Sequence, residues 1–203
     1  MADTAAGTMR AYNQLRAEQA EETRVRILEA TLRVMARGIA SLSVPAVARE
    51  AGVSVPTIYR HFGTKPQLLA AVYPHAARRA GLDAIADPRS LDELRPMIRD
   101  LVERLDSLDD VSRAAMASPA AAEVRHATMS TRLRRIRRLA DSIEPKLRKT
   151  DRDRITRLLV VVTASSSLRM WRDHLGLSVD EVAKEVDWIV RAAIFASHER
   201  TER

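Results

Sequence analysis

The sequence predicts an all-α protein, and three of its features carry that prediction. Leu, Ala, Val and seven Met dominate the apolar residues, only 6 of 203 residues are Gly, and alternating β-branched runs are scarce, a composition suited to helices. Apolar residues recur at spacings of three and four through most of the chain, so each such segment can bury one stripe of a helix. Small polar residues and glycines punctuate those stripes where helices begin and end, as at Ser43, Gly52, Ser54 and Thr64.

In chain order, residues 1–9 are small and polar with no period, which predicts a disordered tail, with ordering beginning between Tyr12 and Thr23. Residues 1–19 are thus read as a flexible tail or helix extension. The first helix then carries Ile27, Ala30 and Val34 beside Leu28, Leu32 and Met35 and stops at Gly38. After a link over 39–42, Ser43 is an N-cap and Val44, Val47 and Ala48 give the next helix its apolar face. Gly52 ends it in a left-handed conformation, and Val53 packs back across the turn. Ser54 caps the following helix, and Pro56 lies in its first turn, where its missing N–H costs little. Ile58 and Phe62 fall four apart on one face. Val55, Thr57, Tyr59, Arg60 and His61 are left pointing elsewhere. Thr64 and Gln67 have capping-box spacing, with Pro66 in the first turn ahead of LLAAVY. Two short helices around a glycine turn are the layout of a helix-turn-helix, whose second helix enters a DNA groove.

Gly52, Val53, Ser54, Pro56-Thr57-Ile58-Tyr59, His61-Phe62, and Lys65 followed by Leu68-Leu69 resemble the signature of TetR-family transcriptional regulators. With the preceding helix TRVRILEATLRVMARG, the resemblance covers roughly residues 20 to 73. It implies an all-α homodimer: an N-terminal three-helix helix-turn-helix domain, residues 20–66, and a C-terminal helical dimerisation and ligand-binding domain, residues 67–203. It further implies a ligand-responsive repressor on a pseudo-palindromic double-stranded DNA operator, read by the helix at 55–61, with a small-molecule effector. Ser43, Tyr59, His61 and Lys65 are then candidate phosphate contacts, and Val55, Pro56 and Thr57 candidate base-edge contacts, with Ser54 beside them as the cap. Val55 and Pro56 offer only apolar contact, for example with thymine methyls. Arg60 stands where the family is often aromatic, and Pro56 where glycine is common. Arg60 is open to three roles: phosphate contact, guanine contact or solvent. An activator of the same fold, or a helical module for protein contact, are the competing readings.

Further along, Pro74 cannot donate to the carbonyl of Ala70, so a kink or break is expected in the fourth helix, as a plain break or as a bend between reader and effector domain. Ser90 caps a helix through Leu94, Ile98, Leu101, Val102 and Leu105. Asp109 starts a short helix to Ala117, and Pro119 a longer one to Ile143, ended by Pro145. Two final helices are expected at about 151–174 and 178–197, the first with a small-residue patch at Ala164-Ser165-Ser166-Ser167, the second with Val182, Val186, Ile189 and Ala193 on one face. They are assigned as the homodimer contact or as intrachain core. Met116, Met129, Met170 and Trp171 are candidates for an effector cavity or for core packing.

The charge of +7 suits an anionic partner, yet residues 1–70 hold 9 Lys and Arg against 6 Asp and Glu, so basicity is not confined to the reading head. The densest cluster, RLRRIRRL at 132–139, is read as a solvated face, a pocket rim for an anionic effector, or extra DNA contact. The absence of cysteine excludes disulfides and thiolate chemistry. The five histidines show no metal-ligand spacing, and neither a phosphate loop nor a nucleophile elbow occurs, so no catalytic residue, metal or cofactor is assigned. The longest apolar run, Leu158 to Ala164, is far short of a membrane span, and no early stretch reads as a signal peptide; a cytoplasmic protein without membrane contact is expected.

Overall fold

Helix α1 of the computed structural model, Ala2–Ala36, is the longest element. Residues 2–199 are described. Then come α2 (Val44–Ala51), α3 (Val55–Phe62), α4 (Lys65–Arg79), two short 3-10 turns, α5 (Leu94–Asp106), α6 (Asp110–Ala117), α7 (Ala121–Ile143), α8 (Lys149–Val162), α9 (Ser165–Arg169), a π turn over Met170–His174, and α10 (Val179–Glu199). Among the described residues every regular element is helical. Where an aperiodic tail was expected over residues 1–9, the backbone from Ala2 onward is helix. Alanines precede Gly7 on that stretch and no proline occurs before Pro45, so the segment extends α1 rather than trailing from it.

The chain forms two compact units. The first comprises residues up to His75 together with Asp110–Ala127; the second comprises Ala76–Asp109 together with the residues from Thr128. The units part at 75/76, and Asp110–Ala127, remote from α2 and α3 in sequence, belongs to the first unit.

In the first unit, the α1 stripe is buried as its spacing requires, with Ile27, Leu28, Ala30, Leu32, Val34 and Met35 all nearly inaccessible. Helices α2 and α6 pack against it. Val44, Val47, Ala48 and Ala51 supply the α2 contribution, Ile58 and Phe62 that of α3, and Leu68, Leu69 and Val72 that of α4. Salt bridges from Arg33 and Arg37 to Glu50 brace α1 against α2, and they hold the Glu50 carboxyl below its ordinary pKa, the Arg33 hydrogen bond contributing most. Of the kink or break expected at Pro74, no break occurs: α4 continues through it to Arg79. The loss is confined to one missing donor, and His75, the next residue, hydrogen-bonds Glu29 of α1 at 2.7 Å.

Gly52 adopts φ 65°, ψ 36°, and Val53 N donates to Ala48 O at 3.0 Å, the bond pattern that closes a helix at a left-handed residue. A Cβ placed on Gly52 would meet nothing within 4 Å, so alanine there suffers only from its backbone conformation. Gly52→Ala is expected to cost the first unit about 1–2 kcal/mol, read as a lowered Tm in thermal unfolding followed by circular dichroism.

In the second unit, α5 and α8 pack on α10. The buried stripe of α10 is Val182, Ala183, Val186, Val190 and Ile194; the predicted Ile189 and Ala193 lie outside it, because burial follows the row 182, 186, 190, 194. Ser178 caps α10 through a capping box with Glu181, its hydroxyl accepting from Glu181 N while Glu181 accepts from Ser178 N. Ser90 leads instead into a 3-10 turn without side-chain capping, and α5 starts at Leu94. The single helix expected over 151–174 is interrupted at Thr163 and Ala164. Thr163 bonds its hydroxyl back to Leu159 O at 2.7 Å, and Ala164 is extended at ψ 136°. The first helix thus ends just before the small-residue patch, and Ser165–Ser167 of that patch open α9. Arg172, in the π turn, ties Asp106 of α5 at 2.7 Å and also bonds Leu177 O.

Candidate nucleic-acid interface

Helix α3 is short, and its ends are fixed by groups close in sequence. Ser54 Oγ accepts from Thr57 N at 3.2 Å and shares a 2.9 Å hydrogen bond with the Thr57 hydroxyl. Ser43 Oγ accepts from Ala46 N at 3.4 Å at the start of α2. Thr64 Oγ1 accepts from Gln67 N and donates to Gln67 Oε1, a variant of the capping box in which the glutamine takes the hydroxyl. Ile58 and Phe62 are buried beneath α3, which fixes the opposite face outward. That face presents Pro56, Tyr59 and Arg60, with Val55, Thr57 and His61 beside them. Ser43 and Ser54 lie at the two helix starts, and Lys65 opens α4 next to this surface in the chain. The nine residues singled out for DNA contact thus fall on the caps, the outward face of α3 and the first residue of α4.

Arg60 is exposed and makes no ion pair among the described residues, so its cation is available to an external anion. His61 titrates below the ordinary histidine value, chiefly through burial, with Arg60 and Arg24 adding to the effect. At neutral pH its ring is uncharged and offers a neutral N–H or a lone pair, not a cation.

Two contributors escaped the sequence reading. Arg24 of α1 donates to His61 O at 3.2 Å, satisfying a free carbonyl at the end of α3, and its guanidinium lies 4.5 Å from the Phe62 ring centre. Glu123 of α7 accepts from Leu42 N at 2.8 Å with one oxygen and pairs with Lys65 Nζ at 2.7 Å with the other. Its carboxyl titrates below the ordinary value, the Lys65 hydrogen bond being the largest cause. Neither residue has a local motif, since their partners His61 and Leu42 are 37 and 81 positions away.

The candidate effector residues fall in both units. Met116 belongs to the first unit; Met129, Met170 and Trp171 belong to the second, with Met170 half exposed. The second unit has an open cleft of about 610 Å³ along α5 and α10, lined by Asp92, Arg95, Pro96, Arg99, Asp180, Asp187 and Arg191, none of them among those four. Its walls are charged, with Arg99 paired to Asp180 and Arg191 to Asp92 and Asp187. The arginine cluster at 132–139 is largely engaged within its own unit: Arg132 bonds Val160 O, Arg135 pairs with Asp87 and Arg137 with Asp153. Among the described residues, no three potential metal ligands come together, and no helix is long and apolar enough to cross a membrane.

A capped pair of short helices, supported by α1 and presenting one polar face, defines a helix-turn-helix protein. Residues 27–72 match the family described as bacterial regulatory proteins, tetR family. Over 72 residues, 35% of this chain, it is 39% identical to the HTH-type transcriptional regulator SrpR of Pseudomonas putida. A match of the same extent, at 38% identity, is to TtgW, also of Pseudomonas putida and described as an uncharacterized HTH-type transcriptional regulator. These matches span 34% and 54% of the lengths of the two relatives. The fold likeness extends further. A structure of the multidrug binding protein EbrR complexed with imidazole superposes with a TM-score of 0.55 at 20% identity, covering 84% of this chain and 93% of that one. NalD, the secondary repressor of the MexAB-OprM multidrug efflux pump in Pseudomonas aeruginosa, gives 0.58 at 19% identity, covering 86% and 96%. Residues 27–72 therefore match the TetR-family helix-turn-helix segment, and most of the chain shares its fold with these solved structures.

Proposed function

We propose that this protein is a homodimeric, ligand-responsive repressor that binds a pseudo-palindromic operator through α3. The outward face of α3, held by caps at Ser54 and Gly63 above buried Ile58 and Phe62, carries this reading. Two such helices on a dimer enter major grooves about 34–36 Å apart. Ser43, Tyr59, His61 and Lys65 hold phosphates, Val55, Pro56 and Thr57 meet base edges, and Arg60 adds a cation at the end of the reading helix. Dimerisation is supported by α10, where Trp188 and Phe195 stand two helical turns apart, about two-thirds exposed at 67% and 66%, away from the buried row Val182, Val186, Val190 and Ile194. Large apolar groups so displayed mark a protein contact, and α8 adds exposed Val161. The second unit takes the effector, whose binding alters the separation of the two reading helices.

Fluorescence anisotropy on fragments upstream of the protein's own gene, at two salt concentrations, tests this reading. Thr57→Ala is expected to narrow the gap between operator and scrambled duplex, whereas Lys65→Ala weakens both evenly and reduces the salt slope by about one. Equal loss of specificity in both variants would overturn the division between base and phosphate contacts.

A further inference from the structure

Lys65 is not free in this structure. Its ammonium lies 2.7 Å from Glu123 Oε2, both side chains being about one-third exposed, while Glu123 Oε1 accepts from Leu42 N at 2.8 Å. One carboxylate therefore spans the two ends of the candidate phosphate clamp, at Lys65 and immediately before Ser43. All of these groups lie within the first unit. A carboxylate oxygen on Lys65 has the charge and hydrogen-bonding chemistry of a phosphate oxygen, so the cation that Lys65 would offer to DNA is already engaged from within.

We infer that Glu123 is a further determinant of DNA affinity: it competes with the operator phosphate for Lys65 and sets how much of that cation the DNA can use. The inference rests on the proposed phosphate role of Lys65. The carboxylate is ionised throughout the neutral range, because Lys65 and the Leu42 N–H both favour its charged form, so the competition operates wherever the protein binds DNA. The pair is accessible to solvent, and a partly exposed ion pair is weak enough for a phosphate to displace. The Leu42 hydrogen bond keeps the carboxylate in place after Lys65 has left. Glu123 lies on α7, whose residues from Thr128 belong to the second unit.

Glu123→Gln keeps an oxygen for Leu42 N–H and removes the charge. In anisotropy titrations against an operator that the wild type already prefers, this variant is expected to bind about two- to five-fold more tightly, a gain on the scale of one partly exposed ion pair. In a Lys65→Ala background the same substitution is expected to change affinity by less than about 1.5-fold, because the competition has no object. An equal gain in both backgrounds would overturn the inference, since it would reflect only the removal of a negative charge near DNA. A loss of affinity in folded Glu123→Gln would also overturn it, making Glu123 a brace that DNA binding needs. Should that variant fail to fold, a structure of the wild type on its operator answers the same question. Lys65 Nζ bound to a phosphate and withdrawn from Glu123 supports competition; Lys65 remaining on Glu123 with no phosphate contact refutes it. If the wild type prefers no DNA, the regulator reading itself fails, an outcome distinct from a flat Glu123→Gln response on bound operator.

Discussion

If α10 forms the proposed dimer contact, the double substitution Trp188→Glu and Phe195→Glu is expected to give folded monomers and to lower operator affinity by about 10²–10⁴-fold. Each side chain is two-thirds exposed on the outer stripe of α10, so a carboxylate there meets water in the monomer and costs the fold little. Across a two-fold interface each substitution occurs twice, placing like charges in an apolar contact whose desolvation they oppose. The two half-sites of an operator then bind separate monomers, and the advantage of linkage disappears. Sedimentation velocity reads the mass, and anisotropy reads the affinity. Unchanged dimer mass would assign the contact to another surface. Monomers that retain full operator affinity would separate dimerisation from DNA binding.

Ile58→Ala is expected to cost the first unit about 2–5 kcal/mol and to remove specific DNA binding. The side chain is 1% exposed and, with Phe62, provides the whole buried face of α3. Its truncation leaves a cavity beneath an eight-residue helix, which has few other contacts with which to relax. Such a helix has no stability of its own; it is held by that face and by its caps. Thermal unfolding should show the loss as a lowered Tm for the reading unit, and specific binding should fall even at temperatures where the variant remains folded. An alanine variant with wild-type Tm and affinity would mean that the caps alone position α3.

These expectations separate what was legible in the sequence from what was not. The reader was legible because its determinants are local: Ser43 and Ser54 sit three residues from the N–H groups they cap, Gly52 adopts the left-handed conformation its position requires, and Ile58 and Phe62 are one turn apart. The buttresses were not. Arg24 reaches His61 from α1, and Glu123 reaches Leu42 and Lys65 from α7, pairings that no spacing in a single sequence encodes. The return of residues 110–127 to the first unit was hidden for the same reason. The interruption near residue 164 was not legible either: Ala164-Ser165-Ser166-Ser167 reads as a continuous small-residue patch, yet Ala164 is extended and a separate helix begins at Ser165. Pro74 did not mark a helix end either: it lies inside α4, which runs on to Arg79. The candidate effector residues were chosen by type alone, and they fall in both units.

The most direct test of the central claim is hydroxyl-radical footprinting of the wild-type protein on DNA upstream of its own gene, with competitor DNA present. Binding by a two-fold dimer through α3 predicts two symmetric protected patches with centres about one helical turn, or a multiple of one turn, apart. Uniform protection that salt removes without leaving a preferred site, on every fragment tried, would contradict it.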